Sequence, residues 1–198
     1  KMSLELDKKT PLNEHPSTIS WMFGGAIVAK TGNDEAYQKY SLQLHERFKE
    51  SGLENLAYSE RIAKGTLMLQ NNPELVKLSR DYAMKCIESL SENDGFYNWT
   101  CFCVALAEYR YGNITEAEKW CKISLDKSPE NHPFLPGLNN ALLSIIYSKT
   151  DRKPLSAKSL EIAKQCQSNL IGSEGSLHDR FLIDVLISEQ ESLTKNSL

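Results

Sequence analysis

Two cysteines separated by one residue, Cys101 and Cys103, are the first candidates for chemistry. Paired thiolates bind zinc, and a single activated thiolate can act as a nucleophile. The surrounding residues predict an α-helix, in which side chains two positions apart point about 200° away from each other. The two thiols therefore cannot share one ion on an intact helix, and a buried structural role is the better interpretation.

The chain has five cysteines, an odd number for a disulfide framework, and a chain of 198 residues does not need such a framework to build a core. We therefore expect reduced thiols in a cytosol-like compartment. The five are Cys86, Cys101, Cys103, Cys121 and Cys166.

The other titratable residues form no catalytic pattern. The four histidines are far apart, and none belongs to a His-Glu-x-x-His motif. They are His15, His45, His132 and His178. Several glutamates could be imagined as an acid–base set, but solvated helix faces explain their spacing. These are Glu46, Glu50, Glu54 and Glu60.

The phosphate loop, catalytic-loop Asp–Asn set and Asp-Phe-Gly motif of protein kinases are missing from the sequence. We predict no catalytic, cofactor-binding or metal-binding residue, so any catalytic domain would lie outside this chain.

The charge balance argues against some classes of partner. Lys and Arg total 23 and Asp and Glu total 26, which gives a formal net charge of −3 with the two signs interspersed. A general nucleic-acid binder needs clustered cations, and a membrane-surface helix needs a basic face.

No apolar run approaches the roughly 20 residues that span a bilayer. The first residues contain no signal-peptide core, and a chain that starts at Lys1 suggests a piece of a longer cytoplasmic protein.

The elements that position these residues are predicted to be helices. The turn residues Gly32, Asn72, Gly112 and Asp151 lie about 40 residues apart, with a helical pattern on both sides of each. All seven prolines fall at predicted helix ends or breaks. One hairpin cannot bury its apolar face alone, so such units must stack. This pattern predicts an all-α solenoid of about four hairpins, and a globular bundle without a true repeat is the alternative.

The predicted organisation has five parts after an N-terminal extension or linker at residues 1–19. Hairpins are predicted at about residues 20–52, 54–94, 96–128 and 137–170, followed by a capping helix at about 177–194 that covers the open end. Asn72 before Pro73 is predicted to cap the second helix of the second hairpin. Thr115 is predicted to cap the helix that follows Gly112.

The stretch VALAEYRYGNITEAEKW, residues 104–120, resembles a tetratricopeptide repeat. Ala105 takes the small position on the first helix, Gly112 makes the turn, Ala117 faces Ala105, and Pro129 ends the unit. The first and fourth copies match less fully, and the second matches only in length and helicity. The matching positions are Trp21, Gly25 and Gly32 in the first copy and Ser144, Ser156 and Ala163 in the fourth.

Nearly the whole chain also resembles the C-terminal helical region of planctomycete- and verrucomicrobial-type bacterial serine/threonine kinases and WD-repeat proteins. The stretches that carry this likeness are TGNDEAYQKYSLQLHERF, SERIAKGTLML, VALAEYRYGNITEAEKW and DRFLIDVLISEQESL. Departures from the family pattern are Asn33 for Asp, Ser59 before Glu60, and Gln190 in the closing motif. The resemblance implies an interaction module attached to another domain and no activity for this segment.

The first helix of each hairpin lines the concave side in tetratricopeptide-like stacks. The resemblance therefore implies a peptide-binding face at this side of the third and fourth hairpins, in which cations hold an acidic group of the partner. Its residues are Phe102, Tyr109, Arg110, Ile145 and Lys149. The alternative is that the apolar members pack on the next repeat while the two cations are solvated.

We expect a non-catalytic protein–protein interaction module, forming the C-terminal part of a larger signalling protein such as a Ser/Thr kinase. Its partner would be a protein or peptide, or another domain of the parent chain, with no nucleic acid, no membrane insertion and no cofactor. A purely structural or oligomerisation domain without a peptide ligand, for example in a homodimer, is the alternative. An enzyme or small-molecule sensor comes third and would need a closed pocket with converging carboxylates or histidines.

Overall fold

The structure, a computed structural model, describes residues 18–48, 55–129, 132–170 and 177–195. All regular secondary structure in these residues is α-helical, as predicted. Within them no helix is long and apolar enough to cross a membrane. The helices are α1 (Thr18–Lys30), α2 (Asp34–Phe48), α3 (Leu56–Leu67), α4 (Pro73–Glu88), α5 (Tyr97–Tyr111), α6 (Ile114–Asp126), α7 (Leu135–Lys149), α8 (Lys153–Asn169) and α9 (Leu177–Lys195).

The first eight helices pack as successive antiparallel pairs, each formed by neighbours in the chain. The pairs are α1–α2, α3–α4, α5–α6 and α7–α8, and the first helix of each pair also contacts the first helix of the next. The second helix of a pair contacts the first helix of the following pair. Helices α5 and α7 therefore have neighbours on several sides, which explains why most of their residues are buried.

Three of the four predicted turns share one backbone conformation. Gly32, Gly112 and Asp151 have φ angles of 67°, 98° and 56°, in the left-handed region that ends a helix. After α5, the N–H of Gly112 donates to Tyr109 O and the N–H of Asn113 donates to Glu108 O. Asp151 repeats this pattern without glycine, because aspartate tolerates the left-handed region better than most residues.

The second turn is built differently and confirms the predicted cap. Asn72 has a φ of −63°, and its side chain accepts a hydrogen bond from the N–H of Leu75 while Pro73 begins α4. This turn therefore ends in an N-cap and lacks the left-handed residue of the other three. That difference agrees with the poor match of the second hairpin to the repeat pattern.

Some predicted boundaries are wrong. Helix α6 begins at Ile114, so Thr115 lies inside it and does not cap it; Asn113 precedes the helix. Helix α1 begins at Thr18, two residues before the predicted domain start. Helix α4 ends at Glu88, before the predicted end of the second hairpin at about residue 94. The predicted extension up to residue 17 and the predicted end of the first hairpin at about residue 52 lie outside the described residues.

Small residues allow the helices to approach closely. Ala105 and Ala117, the predicted crossing pair of α5 and α6, are both fully buried. Between α1 and α3, a methyl group added at Gly25 would lie 3.2 Å from the carbonyl oxygen of Gly65, closer than most side chains tolerate. The four cysteines of α4, α5 and α6 are buried in the same interior, and all five cysteines of the chain are free.

Helix α9 has more neighbours than a helix that only covers an open end. It contacts α7 and α8 and also returns to α1 at the beginning of the chain. Its core-facing side is wide and apolar, since Leu182, Ile183, Leu186 and Ile187 are all buried. The last helix thus joins the first pair of helices to the last.

A buried histidine joins α2, α3 and α4. His45 Nε2 lies 3.0 Å from Ser79 Oγ and 3.1 Å from Thr66 Oγ1, and the imidazole stacks on Tyr82 with ring centroids 5.5 Å apart. Burial lowers the pKa of His45 to about 4. The ring is therefore neutral at pH 7 and has a structural role.

We predict that His45 makes the fold sensitive to acid. Between pH 6.5 and about 4, the unfolded chain binds a proton that the folded chain does not, so the free energy of unfolding falls as the pH falls. The loss attributable to His45 should total about 3 kcal/mol across that range. Urea denaturation of the wild type and of His45→Gln at several pH values measures it. Stability curves that run parallel for the two proteins would contradict the prediction.

Candidate binding site on the inner helices

Four of the five residues predicted to form a peptide-binding face are buried. Phe102 on α5 and Ile145 on α7 have no exposed surface, while Tyr109 and Arg110 are 6% exposed. Only Lys149, the last residue of α7, is exposed. The structure brings Tyr109, Arg110 and Lys149 together, and it places Phe102 and Ile145 in the core.

All three nitrogens of the Arg110 guanidinium contact groups of this chain. Its Nε donates to the carbonyl oxygen of Leu67 at 2.9 Å, and Nη2 donates to that of Met68 at 2.6 Å. The carboxylate of Glu189 on α9 lies against Nη1 and Nη2, each at 2.8 Å. This two-point arrangement is the strongest geometry for an arginine–carboxylate pair. The acidic partner that the sequence suggested for Arg110 is thus present within the chain.

Tyr109 and Lys149 complete the surroundings of Glu189. The hydroxyl of Tyr109 donates to Glu189 Oε1 at 2.5 Å, and Lys149 Nζ lies 5.5 Å from the centre of the Tyr109 ring. Burial by itself would raise the pKa of Glu189, but the charge and hydrogen bonds of Arg110 outweigh burial and lower it. The pKa of Tyr109 is raised, first by burial and then by the charge of Glu189. Glu189 is therefore ionised and Tyr109 is neutral at pH 7.

An open cleft of about 490 Å³ borders the Arg110–Glu189 pair. It lies between the α1–α2 turn, the α3–α4 loop and the second half of α9. Its walls combine apolar surface with side chains that can form hydrogen bonds. The residues that line it include Ala29, Leu69, Gln70, Val185, Ser188, Ser192 and Leu193. We call it the inner cleft.

A second buried cation, Lys64 on α3, also depends on α9. Its Nζ lies 2.8 Å from Glu60 Oε1 and 3.3 Å from Asp179 Oδ1, and 4.9 Å from the centre of the Trp99 ring. His178 Nε2 contacts the other oxygen of Asp179 at 3.0 Å. These groups line a smaller cavity of about 240 Å³.

Lys64 is paired with both Glu60 and Asp179 in the smaller cavity, and these pairs shift the pKa values of Lys64 and Asp179. Burial would lower the pKa of Lys64, but Asp179 and Glu60 together raise it. Burial would raise the pKa of Asp179, but Lys64 and His178 lower it. A general acid or base needs a pKa near the working pH, and these shifts move both groups away from neutrality. In the described ranges no group of three or more His, Cys, Asp or Glu side chains could hold a metal ion.

A third ion pair joins α9 to α1, between Lys30 Nζ and Asp184 Oδ2 at 2.6 Å. It is largely exposed and therefore contributes less than the two buried pairs. The ion pairs that join α9 to α1, α3, α5 and, through Lys164 and Glu191, α8 were not predicted from the sequence. Asp179 offered one signal, because it occupies the same helical face as the apolar Leu182, Ile183 and Leu186. A charged residue on such a face needs a buried partner.

Comparisons of the chain with protein-family models, with curated proteins and with solved structures gave no match. The geometry of the described residues therefore carries the functional argument.

We predict that Arg110→Ala lowers the free energy of unfolding by about 3 to 5 kcal/mol, because it leaves the Glu189 carboxylate without its buried counter-charge. Chemical denaturation followed by circular dichroism measures the change. Lys158→Ala, which removes an exposed cation from α8, is the matched control and should change stability by less than about 0.5 kcal/mol. Equal effects of the two substitutions would show that the Arg110–Glu189 pair does not hold α9.

Proposed function

We propose that this chain is a non-catalytic protein–protein interaction module, a tetratricopeptide-like helical repeat that holds a segment of a partner protein in the inner cleft. The observation that carries this proposal is the cleft itself, an open space of about 490 Å³ with both apolar and hydrogen-bonding walls. Sites that bind peptides and small ligands combine these two kinds of surface. Four of the five ionisable side chains that line it are held in the ion pairs Lys30–Asp184 and Arg110–Glu189, which favours binding over catalysis.

The packing of the helices supports the repeat interpretation. Each pair uses its first helix to contact the first helix of the next pair, as stacked helical hairpins do. The four turns lie at nearly constant spacing, and three of them contain a left-handed residue. The resemblance to the C-terminal regions of bacterial kinases and WD-repeat proteins suggests the context, a larger signalling protein in which this segment recruits or positions a partner.

A partner is expected to lie beside α9, because displacing α9 from the core would cost too much free energy. The helix buries Leu182, Ile183, Leu186 and Ile187, and each such side chain contributes about 1.5 to 3 kcal/mol. Their sum, roughly 6 kcal/mol or more, is comparable to the whole stability of an ordinary domain. A bound segment would therefore use α9 as one wall of its site.

The polar groups of the cleft suggest how a segment would be held. Gln70 and the exposed hydroxyls of Ser188 and Ser192 can form hydrogen bonds to a peptide backbone. Leu69 and Leu193 offer apolar contacts for a side chain of the partner. The acidic group that the sequence assigned to a partner is not required, since Glu189 already binds Arg110.

The rival proposal is a purely structural domain without a peptide ligand. One observation favours it: Glu189 of the chain itself occupies the position where a partner carboxylate would bind Arg110. In that case the cleft would be left over from the packing of α9 and would bind nothing specifically. The two proposals differ in whether filling the cleft changes the binding of partner segments.

We predict that Ser192→Trp abolishes partner binding without unfolding the chain, because the indole fills the cleft from an exposed position on α9. Peptides selected from a random display library on the wild-type chain serve as probes. Their affinity, measured by fluorescence anisotropy, should fall at least about tenfold for the variant, which corresponds to about 1.4 kcal/mol.

Lys158→Trp places the same indole on an exposed position of α8, away from the cleft, and should bind the peptides as the wild type does. Failure to select any peptide, or peptides that bind both variants equally, would favour the structural domain.

A further inference from the structure

Helix α1 exposes large apolar side chains although its sequence is that of a covered helix. Before Lys30 it contains no charged residue, and apolar residues lie on all of its sides. Such a pattern is typical of a helix that is buried all round. Yet Ile27 is 57% exposed and Ile19 is 43% exposed, with the half-buried Phe23 between them. Each of these residues lies four positions after the one before it, so the three form one stripe along the helix.

Helix α9 lies beside this stripe. The ring of His178 packs against the edge of Phe23 with centroids 5.0 Å apart, and further along both helices Lys30 Nζ lies 4.6 Å from the centre of the Phe181 ring. The two helices therefore run side by side in the same direction. Leu177, at the start of α9, is also exposed.

Phe96 extends the apolar surface beyond the start of α1. It is 58% exposed and lines the smaller cavity together with Ile19. We define the α1–α9 seam as the surface formed by Ile19, Phe23, Ile27, Phe96, Leu177 and Phe181. Four of the nine large apolar side chains that are exposed in the described residues belong to it. Single exposed apolar residues are ordinary, but a continuous group of them marks an interaction surface.

Along α1, α3 and α9 the charges around the seam that lack a counter-charge are positive, whereas at the far end Asp94 accepts from the N–H of Phe96 at 2.8 Å and forms no ion pair in the described residues. Lys30 is paired with Asp184, and Lys64 with Asp179 and Glu60. Two arginines lie beside the seam, and neither has a carboxylate within salt-bridge distance in the described part of the chain. Arg61 donates to Thr18 Oγ1 at 3.2 Å. The guanidinium carbon of Arg180 lies 5.8 Å from the centre of the Phe181 ring. Arginine is well suited to bind a carboxylate at two points.

We propose that the α1–α9 seam is a docking surface for an amphipathic helix of another protein, one that carries acidic residues beside its apolar stripe. The furrow between two helices lying side by side suits a third helix, whose apolar residues would cover Ile19, Ile27 and Leu177. Carboxylates on its flanks would pair with Arg61 and Arg180. A second copy of this chain fits less well, because a two-fold dimer would bring the same arginines towards each other. The proposal is independent of the inner cleft.

Two designed peptides test the proposal on the full chain. Both are roughly 18 residues long, enough for marginal helicity, and share one leucine stripe; one carries glutamates and the other lysines on its polar face. We expect the acidic peptide to bind one to one in fluorescence anisotropy, at least about tenfold more tightly than the basic peptide. The double variant Ile19→Ser/Ile27→Ser should lose this binding, and Arg180→Glu should remove the preference for the acidic peptide.

Leu155→Ser and Lys158→Glu on α8 are the matched controls, since both positions are exposed and lie away from the seam; both variants should bind as the wild type does. Circular dichroism checks that each variant is folded. The proposal would be overturned by a chain that binds neither peptide, by equal binding of the two peptides, or by a dimer in light scattering that Ile19→Ser/Ile27→Ser converts to monomer. Binding of the chain to anionic lipid vesicles that is lost in the same double variant would assign the seam to a membrane and would also overturn it. Because Ser192→Trp acts on the inner cleft alone, failure here leaves the proposed function untouched.

Discussion

The buried cations of the inner helices need the carboxylates of the last helix. Lys64 on α3 and Arg110 on α5 are almost wholly removed from water, and their charges are balanced through Asp179 and Glu189 of α9. Lys64 also has Glu60 of its own helix as a partner, whereas Glu189 is the one carboxylate that pairs with Arg110 in the described residues. An unpaired charge at such a depth costs several kcal/mol, so the buried position of Arg110 on α5 depends on α9 being in place. Apolar burial supplies most of the attraction between the helices, and the ion pairs fix the position at which α9 lies.

The position of α9 determines which surfaces of the domain stay accessible to a partner. The inner side, where the sequence suggested a peptide site, is largely occupied by α9, and what stays open is the cleft along one edge of that helix. The return of α9 to α1 creates a second surface, the α1–α9 seam. We propose both surfaces as binding sites for other polypeptides. The ion pairs that hold α9 also move the pKa values of Lys64, Asp179 and Glu189 away from neutrality.

Local features of the fold could be predicted from the sequence, and distant pairings could not. The helices, the left-handed turn at Gly112 and the cap at Asn72 follow from short-range rules that act over a few residues. The partner of Arg110 lies 79 residues away in the chain. Its identity depends on where α9 packs, and no local pattern specifies that position. The sequence therefore indicated that Arg110 would hold a carboxylate, but attributed that carboxylate to another molecule.

Native-state hydrogen exchange of the full chain, measured at increasing concentrations of urea, tests most directly whether α9 is an integral part of the domain. If its buried carboxylates and apolar face hold it as described, the amides of α9 around Leu186 will open only with the global unfolding that also exposes α5 and α7. The free energies of opening will then agree across the three helices. Exchange of the α9 amides through a separate opening of much lower free energy, while α5 and α7 stay protected, would contradict this account.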